Sequence, residues 1–196
     1  DPHRWMLYDI DFNTGAIRWE RELSTGVPSI LRHVRNTYAS ETPVTDGSRV
    51  YVYVASIGVL AAFNLNGSPI WTRQIGTFET NQGWGTASSP ILHRDRLYIV
   101  NDNRVQSFIA AFDIRTGEQI WRMNRDEPES WSTPVVWEHA QRTEIVTAGS
   151  QKVRSYALDG SLLWELAGMS DFGPIPTPFV KNDLLYVSSG YPGSAR

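Results

Sequence analysis

The feature that most constrains this chain is an internal repeat. Four segments end in tryptophan: LYDIDFNTGAIRW at Trp19, LAAFNLNGSPIW at Trp71, IAAFDIRTGEQIW at Trp121 and VRSYALDGSLLW at Trp164. Each carries a glycine four residues before the ring, at Gly15, Gly67, Gly117 and Gly160. A second anchor recurs upstream: Thr42-Pro43-Val44, Ser89-Pro90-Ile91, Thr133-Pro134-Val135 and Thr177-Pro178-Phe179. From Pro43 through Pro90 and Pro134 to Pro178 the steps are 47, 44 and 44 residues; the tryptophans are 52, 50 and 43 apart. Two anchors recurring in one order at one period define a repeated supersecondary unit.

The unit is all β. Between Thr133 and Ala167 the runs Val135–Trp137, Glu144–Thr147, Val153–Leu158 and Leu162–Leu166 are separated by polar or glycine-containing turns. Runs of this length and spacing read as strands, and no segment sustains a helical period. Asn66-Gly67 and Asp159-Gly160 suit the positive-φ positions of tight hairpins. Asn13-Thr14-Gly15 and Arg115-Thr116-Gly117 place glycine where a three-residue loop needs a left-handed residue. Four antiparallel strands at this period predict blades of a β-propeller. A four-stranded sheet must bury both faces against neighbours, so Trp19, Trp71, Trp121 and Trp164 are expected to pack between blades. The glycine before each is expected to let its turn approach that ring. The repeat prolines are expected to open the innermost strand, where a missing N–H is tolerated.

With strands labelled A to D outward from the propeller axis, residues 1–39 supply strands C and D plus a loop. Complete blades follow at 40–76, 86–124 and 131–168, and 176–196 supplies strands A and B. This is about four blades' worth of strands. Either the terminal halves combine into one composite blade of a closed four-bladed ring, or the chain is an arc of a seven- or eight-bladed ring. Flat blades with an interblade tryptophan favour the arc.

Ala111-Phe112-Asp113-Ile114-Arg115-Thr116-Gly117-Glu118-Gln119-Ile120-Trp121 resembles the pyrroloquinoline-quinone-type (PQQ-like) propeller repeat, A-x-D-x-x-T-G-x-x-x-W. Tyr8–Trp19 resembles it with one extra residue, and Ala62–Trp71 and Tyr156–Trp164 are shortened versions. The resemblance covers essentially the whole chain. It implies a propeller of about eight blades and a periplasmic or extracellular location. Its relatives include quinoprotein alcohol dehydrogenases, the lipoprotein scaffold of outer-membrane barrel assembly and bacterial secreted propellers. The dehydrogenases imply PQQ, a vicinal disulfide, a calcium ion held by Glu and Asn, and a catalytic Asp.

Composition bears on that choice. The 196 residues contain no cysteine, which excludes disulfides, thiolate metal sites and a cysteine nucleophile. The absence argues against the dehydrogenase reading. A formal net charge of −3 lacks the basic footprint of a nucleic-acid binder. No apolar run is long enough for a membrane helix, and Asp1-Pro2-His3-Arg4-Trp5 does not read as a signal peptide. His3, His33, His93 and His139 lack metal-ligand spacing, and no phosphate loop or nucleophile elbow occurs. No catalytic or metal residue is therefore assigned.

The remaining candidates come from loop placement. In a propeller the D–A and B–C loops share one face. Here the D–A loops carry Tyr38, Trp84, Trp131 and Phe172, and one B–C loop is Asn101-Asp102-Asn103-Arg104. Tyr38, Trp84, Asn101, Asp102, Arg104 and Trp131 are the candidate ligand-binding residues, suited to a protein or small-molecule partner. The reading is a non-enzymatic binding scaffold. A quinoprotein-type oxidoreductase with catalytic groups partly outside this segment, and a carbohydrate-active propeller, are the alternatives.

Overall fold

A computed structural model of the chain describes residues 1–169 and 175–190. Strands β1 (His3–Ile10) and β2 (Ile17–Gly26) form a two-stranded sheet. The first complete blade is β3 (Val44–Thr45), β4 (Arg49–Val54), β5 (Val59–Asn64) and β6 (Pro69–Gln74). The second is β7 (Ile91–His93), β8 (Arg96–Asn101), β9 (Phe108–Asp113) and β10 (Gln119–Asn124). The third is β11 (Val135–Glu138), β12 (Thr143–Ala148), β13 (Lys152–Tyr156) and β14 (Leu162–Ala167). A two-stranded sheet of β15 (Phe179–Lys181) and β16 (Leu184–Tyr186) follows. All pairings are antiparallel between sequence neighbours. The described residues contain no α-helix, only a 3-10 turn at Asn81–Gly83.

The innermost strands are the ones that open after the repeat prolines. Strands β3, β7, β11 and β15 each touch the next along the arc. Their backbones are linked ahead of the prolines: the Thr42 N–H donates to Ser89 Oγ (2.8 Å) and the Ser89 N–H to Thr133 Oγ1 (3.0 Å). β1 pairs only with β2 and β16 only with β15 among the described residues. Among the described residues the composite fourth blade is therefore not formed, and the blades make an open arc.

The core lies between blades. Tyr51, Tyr53, Leu60 and Ala62 of the first complete blade pack on Leu97, Ile99, Phe108 and Phe112 of the second. The alternate residues Val52, Val54, Val59, Ala61 and Phe63 face the other way, onto Trp5 and Leu7. Tyr98, Val100, Ile109 and Ala111 meet Ile145 and Tyr156. Strands B and C are thus buried on both faces, which is why RVYVYV and FIAAFD lack a polar side.

Trp19, Trp71 and Trp121 pack between blades as expected, but the glycine that each ring meets is not the one four residues before it. Three of the four repeat indole N–H groups cross to the C–D turn of the following blade. Trp19 donates to the Leu65 carbonyl (2.9 Å), Trp71 to Ile114 (2.9 Å) and Trp121 to Leu158 (3.0 Å). The glycine that matters is consequently the next blade's. A Cβ on Gly67 would lie 2.7 Å from the Trp19 ring, one on Gly117 2.5 Å from Trp71 and one on Gly160 2.9 Å from Trp121. Arginines add a second link: Arg21 donates to the Gly67 carbonyl (2.6 Å), Arg73 to Thr116 and Arg96 to Leu158 (2.9 Å). The Trp164 N–H donates to Glu144 of its own blade (2.7 Å).

The hairpins also differ from expectation. Only the glycine takes positive φ in Asn66-Gly67 and Asp159-Gly160; the preceding Asn and Asp do not. A bulge after the turn supplies the remaining twist. It inserts the residue just before the tryptophan in every blade: Arg18, Ile70, Ile120 and Leu163 have no register partner. The bulge turns each ring onto the neighbouring blade. Strand limits shift by a few residues from the sequence reading, with the inner strand β3 reduced to two residues.

Candidate functional site

The D–A and B–C loops do meet on one face. The Arg104 N–H donates to the Glu79 carbonyl (3.0 Å), Ser56 Oγ to the Tyr38 carbonyl and Ser107 Oγ to the Glu127 carbonyl (2.6 Å). Each of these bonds ties a B–C loop to a D–A loop.

Trp84 and Trp131 form the aromatic feature of this face. Their ring centroids are 5.6 Å apart at 35°, and both rings are half-buried. Backbone geometry fixes the pair. Trp131 Nε1 donates to the Gly85 carbonyl (2.7 Å), and the Gly85 N–H donates to Thr80 Oγ1 (2.7 Å). Gly83 and Gly85 have positive φ, and a Cβ on Gly83 would come within 2.6 Å of Leu31. The preceding D–A loop therefore lies directly against Trp84. Asn36 Nδ2 and the His33 N–H both donate to the Trp84 carbonyl (2.7 and 3.3 Å). Leu31 and Val34 in that loop, and Val105 beside Arg104, are exposed apolar side chains. Arg35 and Arg104 are exposed with them.

The other candidates are placed differently. Asn101 is buried, and its Nδ2 donates to the Tyr53 hydroxyl (2.9 Å) while its Oδ1 accepts from Asn103 (2.9 Å). Asp102 is committed to a buried ion pair. Its two oxygens accept from Arg125 Nε (2.8 Å) and Nη2 (3.1 Å), and Ser130 Oγ adds a third bond (2.7 Å). Arg125 Nη1 reaches Thr147 Oγ1 and the Tyr156 hydroxyl, both at 2.8 Å. Burial opposes the Arg125 charge, but Asp102 beside it carries the net shift upward, so the guanidinium stays ionised. Tyr38 sits one joint away, against His3 (5.0 Å) and Trp5 (6.2 Å), with the Arg32 guanidinium over its ring. Trp84, Trp131 and Arg104 belong to neighbouring loops of one face; Asn101 and Asp102 support them from inside; Tyr38 belongs to the adjoining joint. Phe172 lies outside the described residues.

The sequence reading passed over Arg125, Glu127, Arg154 and Glu41. Arg154 pairs with Glu127 and Asp126, and Gly149 leaves the space that Glu127 fills. With Asp102–Arg125 this network pins the loop that carries Trp131. The run Arg125-Asp126-Glu127 is dense in charge for a loop this close to a core, and that density was the available signal. Glu41 is also buried. Its Oε1 accepts from Thr86 Oγ1 (2.6 Å) and the Ala55 N–H (3.3 Å), while Oε2 has no partner among the described residues. Burial pushes its carboxyl above the ordinary range, despite the Thr86 hydroxyl.

Comparison with known proteins bears on this arrangement. The family model described as outer membrane protein assembly factor BamB, a PQQ-like repeat model, matches residues 5–108 and again 105–194. The chain belongs to the PQQ-like propeller family. Its architecture is shared by the quinohemoprotein alcohol dehydrogenase of Comamonas testosteroni, at 13% identity and a TM-score of 0.60 over 93% of this chain and 36% of that one. A Bacteroides caccae protein of unknown function matches at 12% identity and a TM-score of 0.51, covering 92% of this chain and 62% of that one. BamB of Moraxella catarrhalis matches at 18% identity and a TM-score of 0.49, covering 94% and 64%. The chain thus spans between about a third and two thirds of the length of these propellers. No curated protein matches significantly.

Membership in the PQQ-like family raises the question of the quinone. The pocket between Trp131, Asn101, Asp102 and Thr86 holds about 10 Å³, room for about one water. Among the described residues no group of three or more His, Asp or Glu is placed to hold a metal. Asp102 is held by Arg125 and Asn101 by Tyr53, so these residues do not build a quinone or calcium site.

Proposed function

We propose that this PQQ-like propeller segment is a non-enzymatic scaffold that holds a segment of another protein over its D–A and B–C loop face, in the periplasm. The observation that carries this reading is the Trp84–Trp131 pair, half-buried and held by backbone hydrogen bonds among exposed Leu31, Val34 and Val105. Rigid aromatic anchors in an apolar surround concentrate binding energy at low entropic cost. Exposed arginines at the rim add attraction for an acidic or carbonyl-rich segment. The family description, which names outer-membrane protein assembly, suits a protein that binds other chains.

The test is panning of a displayed random-peptide library on the 196-residue chain, with a glycan array in parallel. Peptides are expected to bind, and Trp84→Ala is expected to weaken them at least about 30-fold, the scale of an interface anchor. Binding of glycans alone, or of peptides indifferent to Trp84→Ala and Trp131→Ala, would refute this assignment.

A further inference from the structure

One residue at the inner edge of the arc breaks the repeat. The position just ahead of each Thr/Ser-Pro anchor is Glu41, Ser88 and Ser132 in the three complete blades. Both serines are buried and link their blade to the next through the hydroxyl. Ser88 Oγ donates to the Ser132 carbonyl (3.0 Å) and Ser132 Oγ to the Pro176 carbonyl (2.8 Å). Glu41 is buried as they are, and its link to the next D–A loop, at Thr86, is made by a carboxyl group. One joint is thus tied by a group that can take a charge, where the other two are tied by groups that cannot.

That carboxyl joins three segments. Oε1 accepts from Thr86 Oγ1 (2.6 Å) and from the Ala55 N–H (3.3 Å) just after β4, while Oε2 is buried without a partner among the described residues. Thr86 directly follows Gly85, whose carbonyl takes the Trp131 indole N–H and whose own N–H is held by Thr80. Trp84 directly precedes it. Glu41 therefore holds the chain one residue from the clamp of the tryptophan pair. The titratable group that faces it from β4 is Tyr53, a buried phenol that accepts from Asn101 and that burial holds above its ordinary range. Arg122 of β10 acts electrostatically on that phenol. Asp102, on the small pocket that Ala55 and Thr86 also line, is neutralised by Arg125. No cation among the described residues bonds to either Glu41 oxygen.

We propose that Glu41 is a proton-linked latch on the loop that carries Trp84. The neutral carboxyl stays inside and holds Thr86; once it gives its proton to water, the carboxylate turns out to solvent and releases that loop. A buried charge without a counter-ion is costly, and here both hydrogen bonds fall on one oxygen and leave the other bare. In the open form Glu41 lies in water and ionises at the ordinary value of 4.5. In the closed form burial outweighs Thr86 and the nearby backbone N–H groups, so the carboxyl resists ionisation. The latch is fully closed below 4.5 and weakens as pH rises from there toward the closed-form value. One proton changes the ratio of open to closed by up to about tenfold per pH unit. The latch acts on the loop whether or not the face binds a protein, so it stands or falls apart from the proposed function.

The test is hydrogen exchange of the 196-residue chain by NMR, from pH 4.5 to neutrality. The Gly85 N–H is the probe, with each rate corrected for intrinsic exchange. Its protection is expected to fall with rising pH, by up to about tenfold per unit. Glu41→Gln keeps the shape and cannot ionise, and is expected to hold the protection constant across the range. Glu41→Ser installs the residue of the other two joints and is expected to give the same flat profile, including where the glutamine variant folds poorly. A Glu41 that served only as a brace would change protection equally at every pH. Wild-type protection that does not vary with pH, or a slope that persists in either variant that folds, overturns the latch.

Discussion

Gly15 and Gly117 allow the interblade joint to be weighed by a matched pair of substitutions. The two glycines have nearly identical φ, 71° and 70°, in the same D-x-x-T-G turn. Both turns are held the same way. Asp11 Oδ1 accepts from the Asn13 and Thr14 N–H groups (3.1 and 2.9 Å), and Asp113 Oδ1 from those of Arg115 and Thr116 (2.7 and 3.1 Å). Alanine at either position bears the same left-handed penalty, about 1–2 kcal/mol. Only at Gly117 does the new Cβ meet a ring, 2.5 Å from Trp71 Cε3, where carbon contacts normally settle near about 3.5–4 Å. Trp71 cannot easily retreat, because it is buried and bonded to Ile114 O. Overpacking of this kind costs a further ~1–3 kcal/mol. Gly15→Ala is therefore expected to cost about 1–2 kcal/mol and Gly117→Ala about 2–5 kcal/mol. Urea unfolding followed by tryptophan fluorescence measures both. Equal losses at the two sites would refute the claim that the next blade's glycine, and not merely its turn geometry, is what the tryptophan requires.

Other perturbations probe the loop face and the buried carboxylates. Asp102→Asn leaves the Arg125 guanidinium without its buried counter-charge and should destabilise the chain by about 3–5 kcal/mol in a thermal melt, while Asp102→Leu with Arg125→Met recovers part of that loss. Glu144 accepts from Ser155, His139, Arg142 and Trp164, which outweigh its burial and lower its pKa to about 2. Its contribution is present above the unfolded value and is lost as pH falls from 4.5 toward 2, so Glu144→Gln should flatten that acid limb of stability against pH. Glu41 behaves with the opposite sign. Burial raises its pKa, so stability falls as pH rises above 4.5 and the buried carboxyl must ionise; Glu41→Gln should remove that slope in denaturation measured at successive pH values.

Much of the fold was legible because it repeats. A glycine or proline that recurs at one offset reports a constraint, and four copies of Gly-x-x-x-Trp and Thr/Ser-Pro separated the architectural residues from the rest. The same logic identified the inner strands, since Pro43, Pro90, Pro134 and Pro178 each stand just before one. Legibility ended where partners lie in different blades. Gly117 precedes Trp121 in sequence but serves Trp71, and a local reading assigns it to the nearer ring. The bulge at Ile120 was hidden for a related reason: it is a mismatch of register between two strands, and no single strand displays it.

The candidate site was less legible still. Trp84 and Trp131 were recognisable as loop aromatics, but their contact joins residues 47 positions apart. Asn101 and Asp102 looked like polar loop groups free to bind. The structure turns Asp102 inward because Arg125, at the start of the next D–A loop, needs a buried counter-charge, and that pairing leaves no trace in either segment alone.

The sequence by itself determined the class of structure, the strand order and the four tryptophan positions, because hydrophobic alternation, turn chemistry and period are local properties of the chain. The tertiary structure alone decided which blade Trp19, Trp71 and Trp121 clamp, which polar loop residues face inward, and that the terminal half-blades do not pair among the described residues. Those outcomes depend on how one sheet faces the next. A sheet's neighbours are set by packing across the joint, and the residues that meet there are separated by a full repeat.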